Sequence, residues 1–241
     1  NNGVNVQNTT RDVTGTGATP ANLTITESDP YNYGTFATGS TTTHTFTINN
    51  TGGVSATSVS EVGLSAPFAF LGGSYPGVGG TCSGSISNGA ACNIVVEYAP
   101  TTTAVHARTI TMSYFNGVAT LNATRDIQGT GVSPASLTIT DSDPYSFGTL
   151  PTGATASRTF TVTNAGGFQA SAIAGTGLAA PYTFQGGSFP GGGTCTATLN
   201  SGASCTVIVE YAPVSVSGAD ADTMQIDYDD GVTTQNSTRD L

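Results

Sequence analysis

The four cysteines are the residues whose spacing points most clearly to a chemistry. They form two pairs with nine residues between the members, Cys82 with Cys92 and Cys195 with Cys205. Zinc is the alternative use of paired thiolates, but two thiolates need further ligands, and the two histidines of the chain do not occupy matching positions in its two halves. The spacing therefore predicts two disulfides, which persist in oxidising compartments, so we expect a secreted, periplasmic or cell-surface protein.

A tight turn between the paired cysteines would conflict with the disulfide. A two-residue turn at Asn88-Gly89 would place Cys82 opposite Val95 instead of Cys92. We therefore expect a hairpin with a wider loop or a bulge between the two cysteines. Closing this short loop should stabilise each half of the chain by about 2 to 3 kcal/mol in the chain-entropy description.

Acidic side chains form the second group with recognisable chemistry. Glu27 and Asp29 match Asp141 and Asp143 in the second half of the chain. Carboxylates grouped on flexible loops can bind calcium, so these four residues are candidate ligands for an ion that stiffens a joint between domains. The alternative is that each Ser-Asp-Pro-Tyr segment is a turn begun by aspartate, since the sequence has no complete calcium-loop pattern.

Two glycine-rich loops carry an aromatic side chain at the tip. Their sequences are GGSYPGVGG, which contains Tyr75, and GGSFPGGG, which contains Phe189. Neither loop has the lysine and the following helix of a phosphate-binding loop. An exposed aromatic residue on a loop is a candidate partner contact, and packing of the same ring against its own sheet is the alternative.

Composition argues against several classes of function. The chain has no lysine and no tryptophan, and fifteen acidic residues oppose five arginines, for a net charge of -10. Without lysine there is no P-loop and no Schiff base, and no nucleophile-elbow motif is present, so we predict no enzymatic activity. The negative charge repels phosphate, so we expect no nucleic-acid partner. No apolar run reaches the roughly 18 residues of a membrane helix, so we expect no membrane insertion in this segment.

The sequence is built from a repeat with a period of about 114 residues. The segment TPANLTITESDPY matches SPASLTITDSDPY, and CNIVVEYAP matches CTVIVEYAP, which defines repeats at residues 18–131 and 132–241. Residues 1–17 precede them and include NTTRDVTGTG, which matches NATRDIQGTG at residues 122–131. We expect residues 1–17 to be the final strand of a preceding repeat, or a strand exchanged with another molecule.

Apolar residues alternate with polar ones within each repeat, as half-buried strands require. About seven short strands per repeat, separated by turn signals such as Asn116-Gly117, predict an all-β chain of two tandem immunoglobulin-like β-sandwich domains plus an N-terminal extra strand. A closed barrel is the alternative. The link QGTGVSPAS is short and contains proline, so we expect a semi-rigid rod of two domains.

The order of these segments resembles a known family. FGTLPTGATASRTFTVTNAGG, a phenylalanine near GGS, a cysteine, SGASCTVIVEYAP and a final strand ending in GTG resemble the choice-of-anchor D repeats of bacterial cell-surface proteins. Those repeats are similar in turn to the ASH immunoglobulin-like domains. The resemblance covers both repeats and implies an immunoglobulin-like fold and a role as a spacer or binding platform in a large extracellular protein.

The Thr-Arg-Asp motif departs from the family's pattern, because it places charge in a final strand that usually alternates apolar residues. Three of the five arginines occupy this motif: Arg11, Arg125 and Arg239. We expect the second and third of them to form cross-strand ion pairs with Glu97 and Glu210. We also expect residues 115–131 and 229–241 to complete their own domains, which leaves neither repeat open to a donated strand.

These observations favour a non-enzymatic structural repeat module of a bacterial surface stalk, adhesin or fibre. Its expected partners are neighbouring repeats of the same protein, further copies in a filament, or a host or cell-surface ligand. The alternative is a ligand-binding module in which the glycine loops or the acidic loops recognise a glycan, a protein or calcium. We expect no cofactor other than this candidate calcium ion.

Overall fold

The architecture consists of two β-sandwiches in series. The computed structural model describes Gly3, residues 8–216 and residues 219–241. These residues contain sixteen strands and one 3-10 turn, Gln185–Gly187. The strands of each repeat enclose a separate hydrophobic core, which confirms the all-β, immunoglobulin-like fold. In the described part of the chain, no helix is long and apolar enough to cross a membrane.

The first repeat forms two sheets that face each other across its core. Its strands are β1 (Leu23–Ile25), β2 (Tyr31–Ala37), β3 (Thr42–Asn50), β4 (Ala56–Glu61), β5 (Phe68–Phe70), β6 (Ser85–Ile86), β7 (Ala91–Tyr98), β8 (Val105–Phe115) and β9 (Thr120–Val132). One sheet has the order β1-β3-β7-β5 and the other has the order β2-β9-β8-β4-β6. The pairs are antiparallel except that β2 and β9 run parallel.

The second repeat has the same plan with fewer strands. They are β10 (Leu137–Ile139), β11 (Ala156–Asn164), β12 (Ser171–Thr176), β13 (Tyr182–Phe184), β14 (Ser204–Tyr211), β15 (Thr223–Asp229) and β16 (Thr234–Asp240). The sheets have the orders β10-β11-β14-β13 and β12-β15-β16. The counterpart of β6 is reduced to one bridge between Ala170 and Leu199.

Alternation places the large apolar side chains between the sheets. Phe46 on β3 lies opposite Ile94 on β7, and both are fully buried. Ile110 and Met112 on β8 close the core from the other sheet and are also fully buried. Burying each such side chain stabilises the fold by about 1.5 to 3 kcal/mol. The counterparts in the second repeat, equally buried, are Phe160, Val207, Met224 and Ile226.

The segment between the paired cysteines crosses from one sheet to the other. The amide of Cys82 donates to the carbonyl of Asn93 on β7 (3.1 Å), whereas Ile86 on β6 pairs with Ala56 on β4 in the opposite sheet. The chain then returns through Gly89, whose amide donates to the carbonyl at the end of β3 (3.0 Å). A segment that visits the opposite sheet thus separates the two cysteines, which agrees with the expected wider loop and not with a tight two-residue hairpin.

The repeats differ at one edge of the larger sheet. In the first repeat, β2 runs parallel to the second half of β9, and the pairs include Phe36 with Gly131 and Ala37 with Val132. This sheet has five strands, whereas its counterpart in the second repeat has three.

Residues 145–151 take the place of β2 in the second repeat but form no strand. These residues still bond to the final strand of their repeat: the amide of Tyr145 donates to the carbonyl of Asp240 (2.8 Å), at the end of β16. The next residue, Leu241, matches Ile127 near the middle of β9. The bond from Tyr145 joins residues 145–151 to the end of β16, which pairs with β15 along its length.

The link between the repeats is short and is bonded to the second repeat. Residues 133–136 separate β9 from β10. The amide of Gly167 donates to the hydroxyl of Ser133 (2.8 Å), and the amide of Ala135 donates to the carbonyl of Asp230 (2.9 Å). These bonds hold the link against two separate loops of the second repeat.

Residues 8–20 form no strand and are exposed throughout. Val13, for example, is 89% exposed. Within residues 8–17, the described part of the predicted N-terminal strand forms no strand pairing, and its pairing with another sheet stays a prediction. Residues 1, 2 and 4–7 lie outside the described residues.

Candidate functional site

Both predicted disulfides are present in the structure. Cys82 is bonded to Cys92 and Cys195 to Cys205, with Cα atoms 4.8 Å apart in each pair. The first cysteine of each pair lies on the segment that crosses between the sheets, and the second lies on an inner strand of its sheet, β7 or β14. Each disulfide therefore ties the crossing segment to the body of the sandwich.

Arg125 joins the two sheets of the first repeat. Its side chain lies on the inner face of β9 and is 13% exposed. One guanidinium nitrogen, Nη2, donates to the carbonyl of Ile25 at the end of β1, and Nη1 lies 3.2 Å from Oδ2 of Asp29. The other carboxylate oxygen of Asp29 accepts a bond from the amide of Asp126 (3.1 Å). We call this group of side-chain and backbone contacts the arginine clamp.

The second repeat has the same arginine clamp. Arg239 donates to the carbonyl of Ile139 and lies 3.3 Å from the carboxylate of Asp143. The predicted ion pairs with Glu97 and Glu210 are wrong, because those residues lie on β7 and β14, in the sheets opposite the arginines. The charged motif in the final strand is thus accounted for by a contact across the core.

The four candidate calcium ligands are bonded to protein groups. Asp29 and Asp143 belong to the arginine clamps, Glu27 accepts a bond from the amide of Thr47 (2.8 Å), and Asp141 forms an ion pair with Arg158. Among the described residues, no three side chains of the metal-binding types are grouped so that they could hold an ion. Arginines and backbone amides of other strands are therefore the partners of these carboxylates.

His44 and Arg158 occupy the same position in the two repeats but make different interactions. His44 stacks on Tyr31 with ring centroids 3.9 Å apart, and its Nδ1 lies 2.9 Å from the tyrosine hydroxyl. Burial lowers the pKa of His44 below its ordinary value, and the negative charge of Glu27 opposes this shift. Arg158 instead lies 4.9 Å above the ring of Tyr145 and pairs with the carboxylate that matches Glu27.

A buried asparagine in each repeat makes a full set of bonds that sequence reasoning did not identify. Asn50 is 1% exposed. Its Oδ1 accepts bonds from the amides of Asn22 (3.1 Å) and Gly52 (3.0 Å), and its Nδ2 donates to the carbonyls of Val54 (2.9 Å) and Ile86 (3.0 Å). Asn164 makes the four matching bonds in the second repeat. The signal in the sequence was an asparagine at the end of matching strands, TINN and TVTN.

The aromatic residues of the glycine-rich loops pack on their own domains. Tyr75 meets Phe70 edge to face, with ring centroids 5.6 Å apart, and Phe189 meets Phe184 in the same way at 5.6 Å. Burial raises the pKa of Tyr75 to about 12. The structure thus favours the packing interpretation over the partner contact for both residues.

The backbone of each glycine-rich loop lies along the edge of the neighbouring strand. The amide of Val95 donates to the carbonyl of Pro76 (2.8 Å), and Ile208 donates to Pro190 in the same way (2.9 Å). Gly77 has φ +91°, and a Cβ at this position would stand 2.3 Å from the carbonyl oxygen of Val95. The glycines therefore allow the loop to cover the sheet edge beyond the short strand β5.

A groove of about 680 Å³ lies beside residues 145–151 in the second repeat. Aromatic and aliphatic side chains line it, among them Tyr145, Phe147, Leu150, Tyr182, Tyr211 and Leu241. Asp220 stands at the same groove and accepts a bond from the hydroxyl of Tyr211 (2.8 Å), which raises the pKa of Tyr211 to about 12.

Comparison with known proteins gives distant similarities. No protein-family model matches the sequence, and no curated protein is similar to it. The solved structure of the VesB protease of Vibrio cholerae is 19% identical to this chain, with a TM-score of 0.36. The match covers 46% of this chain and 32% of the protease, so the chain spans about a third of the length of the protease. The ASH/PapD-like domain 7 of human CEP192 is 13% identical with a TM-score of 0.33, over 54% of this chain and 97% of that one.

A third solved structure, the extracellular cadherin domains of protocadherin gamma B7, is 10% identical with a TM-score of 0.42, over 91% of this chain and 50% of that one. All three TM-scores are below 0.5, so these similarities assign neither a family nor a function. The choice-of-anchor D resemblance stays an expectation, and the sheets themselves show two immunoglobulin-like sandwiches, each held by a disulfide and an arginine clamp.

Proposed function

We propose that this chain is a non-enzymatic structural module of a bacterial surface stalk, adhesin or fibre, and that it acts outside the cell. The resemblance to choice-of-anchor D repeats supports the bacterial surface role, and the two disulfides are compatible with an oxidising compartment. The observation that carries the proposal is the way in which the first repeat is joined to the second.

Tension along the chain would act on β9 as a shear force. This strand of the first repeat lies between β2 and β8 in the five-stranded sheet and leads directly into the bonded link at residues 133–136. Its antiparallel ladder with β8 runs from Thr120 to Thr130. A shear force must break many of these hydrogen bonds together, so the joint transmits tension before the sheet yields.

Two kinds of bond join the two sheets of each sandwich, the arginine clamp and the buried asparagine, and both repeats contain them. The disulfide adds a covalent tie between the segment that crosses from sheet to sheet and the strand β7 or β14. The clamp and the asparagine therefore oppose separation of the sheets, while the ladder between β8 and β9 opposes shear along the chain. A spacer domain in a stalk or fibre requires this property.

Single-molecule pulling tests the proposal. The chain should show two separate unfolding events with resolvable force peaks, one for each repeat. Reductant should lengthen each event by roughly 30 Å, because about ten residues that the disulfide had closed off become extensible. Extension without force peaks would contradict the mechanical role.

The sequence also allowed a ligand-binding module that recognises a glycan, a protein or calcium. At the positions named for it, the structure shows intramolecular contacts: Tyr75 and Phe189 pack on their own sheets, and the acidic residues pair with arginines and amides. The structural role therefore agrees better with the described contacts.

A further inference from the structure

We propose that Asn116 is a site of spontaneous covalent modification, at which the side chain loses ammonia and becomes an acid. Asparagine is a chemically labile residue, and a following glycine favours the reaction, because glycine has no Cβ to hinder the approach of its amide nitrogen. The two repeats contain two Asn-Gly pairs, Asn88-Gly89 and Asn116-Gly117. The folded chain leaves the second pair free to react and protects the first.

The reaction needs only water as a co-reactant. The amide nitrogen of Gly117 forms a bond to Cγ of Asn116 and gives up its proton, the bond between Cγ and Nδ2 breaks, and Nδ2 takes up a proton and leaves as ammonia. The product is a cyclic imide. Water that adds at Cγ opens this ring to aspartate, whereas water that adds at the main-chain carbonyl carbon opens it to isoaspartate, whose main chain runs through Cγ.

Hydrogen bonds to the side chain of Asn116 prepare Cγ for the attack. Asn116 lies in the turn between β8 and β9, and its Oδ1 accepts bonds from the amides of Val118 (2.8 Å) and Ala119 (2.8 Å). Two donors at this oxygen stabilise the negative charge that develops on it when a nitrogen adds to Cγ. They also turn the side chain toward the main chain that follows Asn116, where the attacking nitrogen lies.

The two Asn-Gly pairs differ in the state of the glycine amide. Gly117 is exposed, and within the part of the chain that the structure describes its amide donates no hydrogen bond. The amide of Gly89 instead donates to the carbonyl of Asn50 (3.0 Å), a residue that is 1% exposed. This bond must break before the nitrogen of Gly89 can attack, so Asn88 is protected although it is exposed.

The second repeat shows that the fold accepts one of the two products. Asp230 stands at the position that matches Asn116, and its Oδ1 accepts bonds from the amides of Val232 (2.8 Å) and Thr233 (2.8 Å). Aspartate at position 116 would therefore keep both bonds and add one negative charge. Isoaspartate would lengthen the main chain of the turn and break the bond from the amide of Asn116 to the carbonyl of Ala119 (3.0 Å).

Peptide mapping of the complete chain, kept folded at mildly alkaline pH over a time course, tests the proposal. The peptide that contains Asn116 should convert to the acid at least about tenfold faster than the peptide that contains Asn88, because the bond of the Gly89 amide must first be broken. In urea this difference should disappear, since both pairs are then unfolded. Equal rates in the folded chain would overturn the proposal, and so would a difference that persists in urea, because the fold would not be its cause.

A single substitution tests the role of the Gly117 amide. In the second repeat, the amide of Gly231 donates to Oδ1 of Asp229 (2.8 Å), and Phe115 stands at the position that matches Asp229. Phe115→Asp should therefore supply an acceptor for the amide of Gly117 and slow the conversion of Asn116 by about tenfold or more.

Phe115→Ala is the matched control, because it removes the same ring without supplying an acceptor, and it should convert at the rate of the wild type. Phe115 is 38% exposed, so we expect both variants to fold, and their urea midpoints check this. A folded Phe115→Asp variant that converts as fast as Phe115→Ala would overturn the role of the free amide. None of these results bears on the mechanical role, which single-molecule pulling tests separately.

Discussion

Arg239 reaches across the second sandwich to Asp143, with Nη1 3.3 Å from Oδ2, while its Nη2 donates to the carbonyl of Ile139. The arginine side chain is 9% exposed and the aspartate 56%. Because the carboxylate is largely in water, the ion pair alone contributes about 0.2 to 1 kcal/mol. The buried bond to the carbonyl therefore accounts for most of the stabilisation by the clamp.

The two halves of the clamp should differ in their effect on stability. Arg239→Ala should lower the free energy of unfolding of the second repeat by about 2 to 3 kcal/mol, because it leaves the Ile139 carbonyl unpaired. Asp143→Ala should cost about 1 kcal/mol or less. Urea unfolding measures both, and Arg11→Ala, at the exposed copy of the motif, is the control that should change little. Equal losses for Arg239→Ala and Asp143→Ala would contradict this account.

Each disulfide should stabilise its own repeat. Replacing Cys195 and Cys205 together by serine should lower the free energy of unfolding of the second repeat by about 2 to 3 kcal/mol, since the unfolded chain regains the entropy of the open loop. The transition of the first repeat should stay in place, which serves as the internal control. Complete alkylation of the unreduced chain at four thiols would show that the disulfides are absent.

The buried asparagine should be among the most sensitive polar residues. Asn50→Ala removes the partners of two amides and two carbonyls and should cost about 3 kcal/mol or more. Asn49→Ala is the matched control, because Asn49 is the preceding residue on β3 and points to the other face. Chemical denaturation compares the two variants, and similar losses would refute the special role of Asn50.

Acidification should weaken the first repeat through His44. Its pKa is lowered in the folded state, so the unfolded chain binds the proton more readily, and stability falls as the pH drops through about 6.5 toward the folded value. His44→Arg should remove this part of the pH dependence, because arginine stays charged throughout. Urea unfolding midpoints measured at several pH values from about 8 to about 5, a range that spans the ordinary pKa of histidine, test this prediction. Parallel curves for the wild type and the variant would contradict it.

Calcium should not stabilise the chain. Asp29 and Asp143 are paired with arginines, and a bound cation would have to displace those partners. Thermal unfolding with added calcium and then with EDTA should give the same melting temperature. A saturable rise in melting temperature with calcium would show that the acidic residues form an ion site after all.

Particular residues show what the sequence by itself determined. The alternating core positions on β3, β7 and β8 were predictable, because a half-buried strand requires a period of two. The cysteine pairs were predictable because each repeat contains one pair at the same spacing. The duplicated segments also predicted that both sandwiches have the same plan, since equal sequences give equal inner faces.

The tertiary structure alone decided how charged and polar groups meet across the core. Arg125 appeared to be a neighbour of Glu97, yet the chain places them in opposite sheets, and sequence spacing does not say which strands share a sheet. The same holds for Asn50, whose four partners come from three separate segments of the chain. The contact between residues 145–151 and the end of β16 likewise depends on which segment lies beside which, because hydrogen bonding between distant segments is a property of the folded chain.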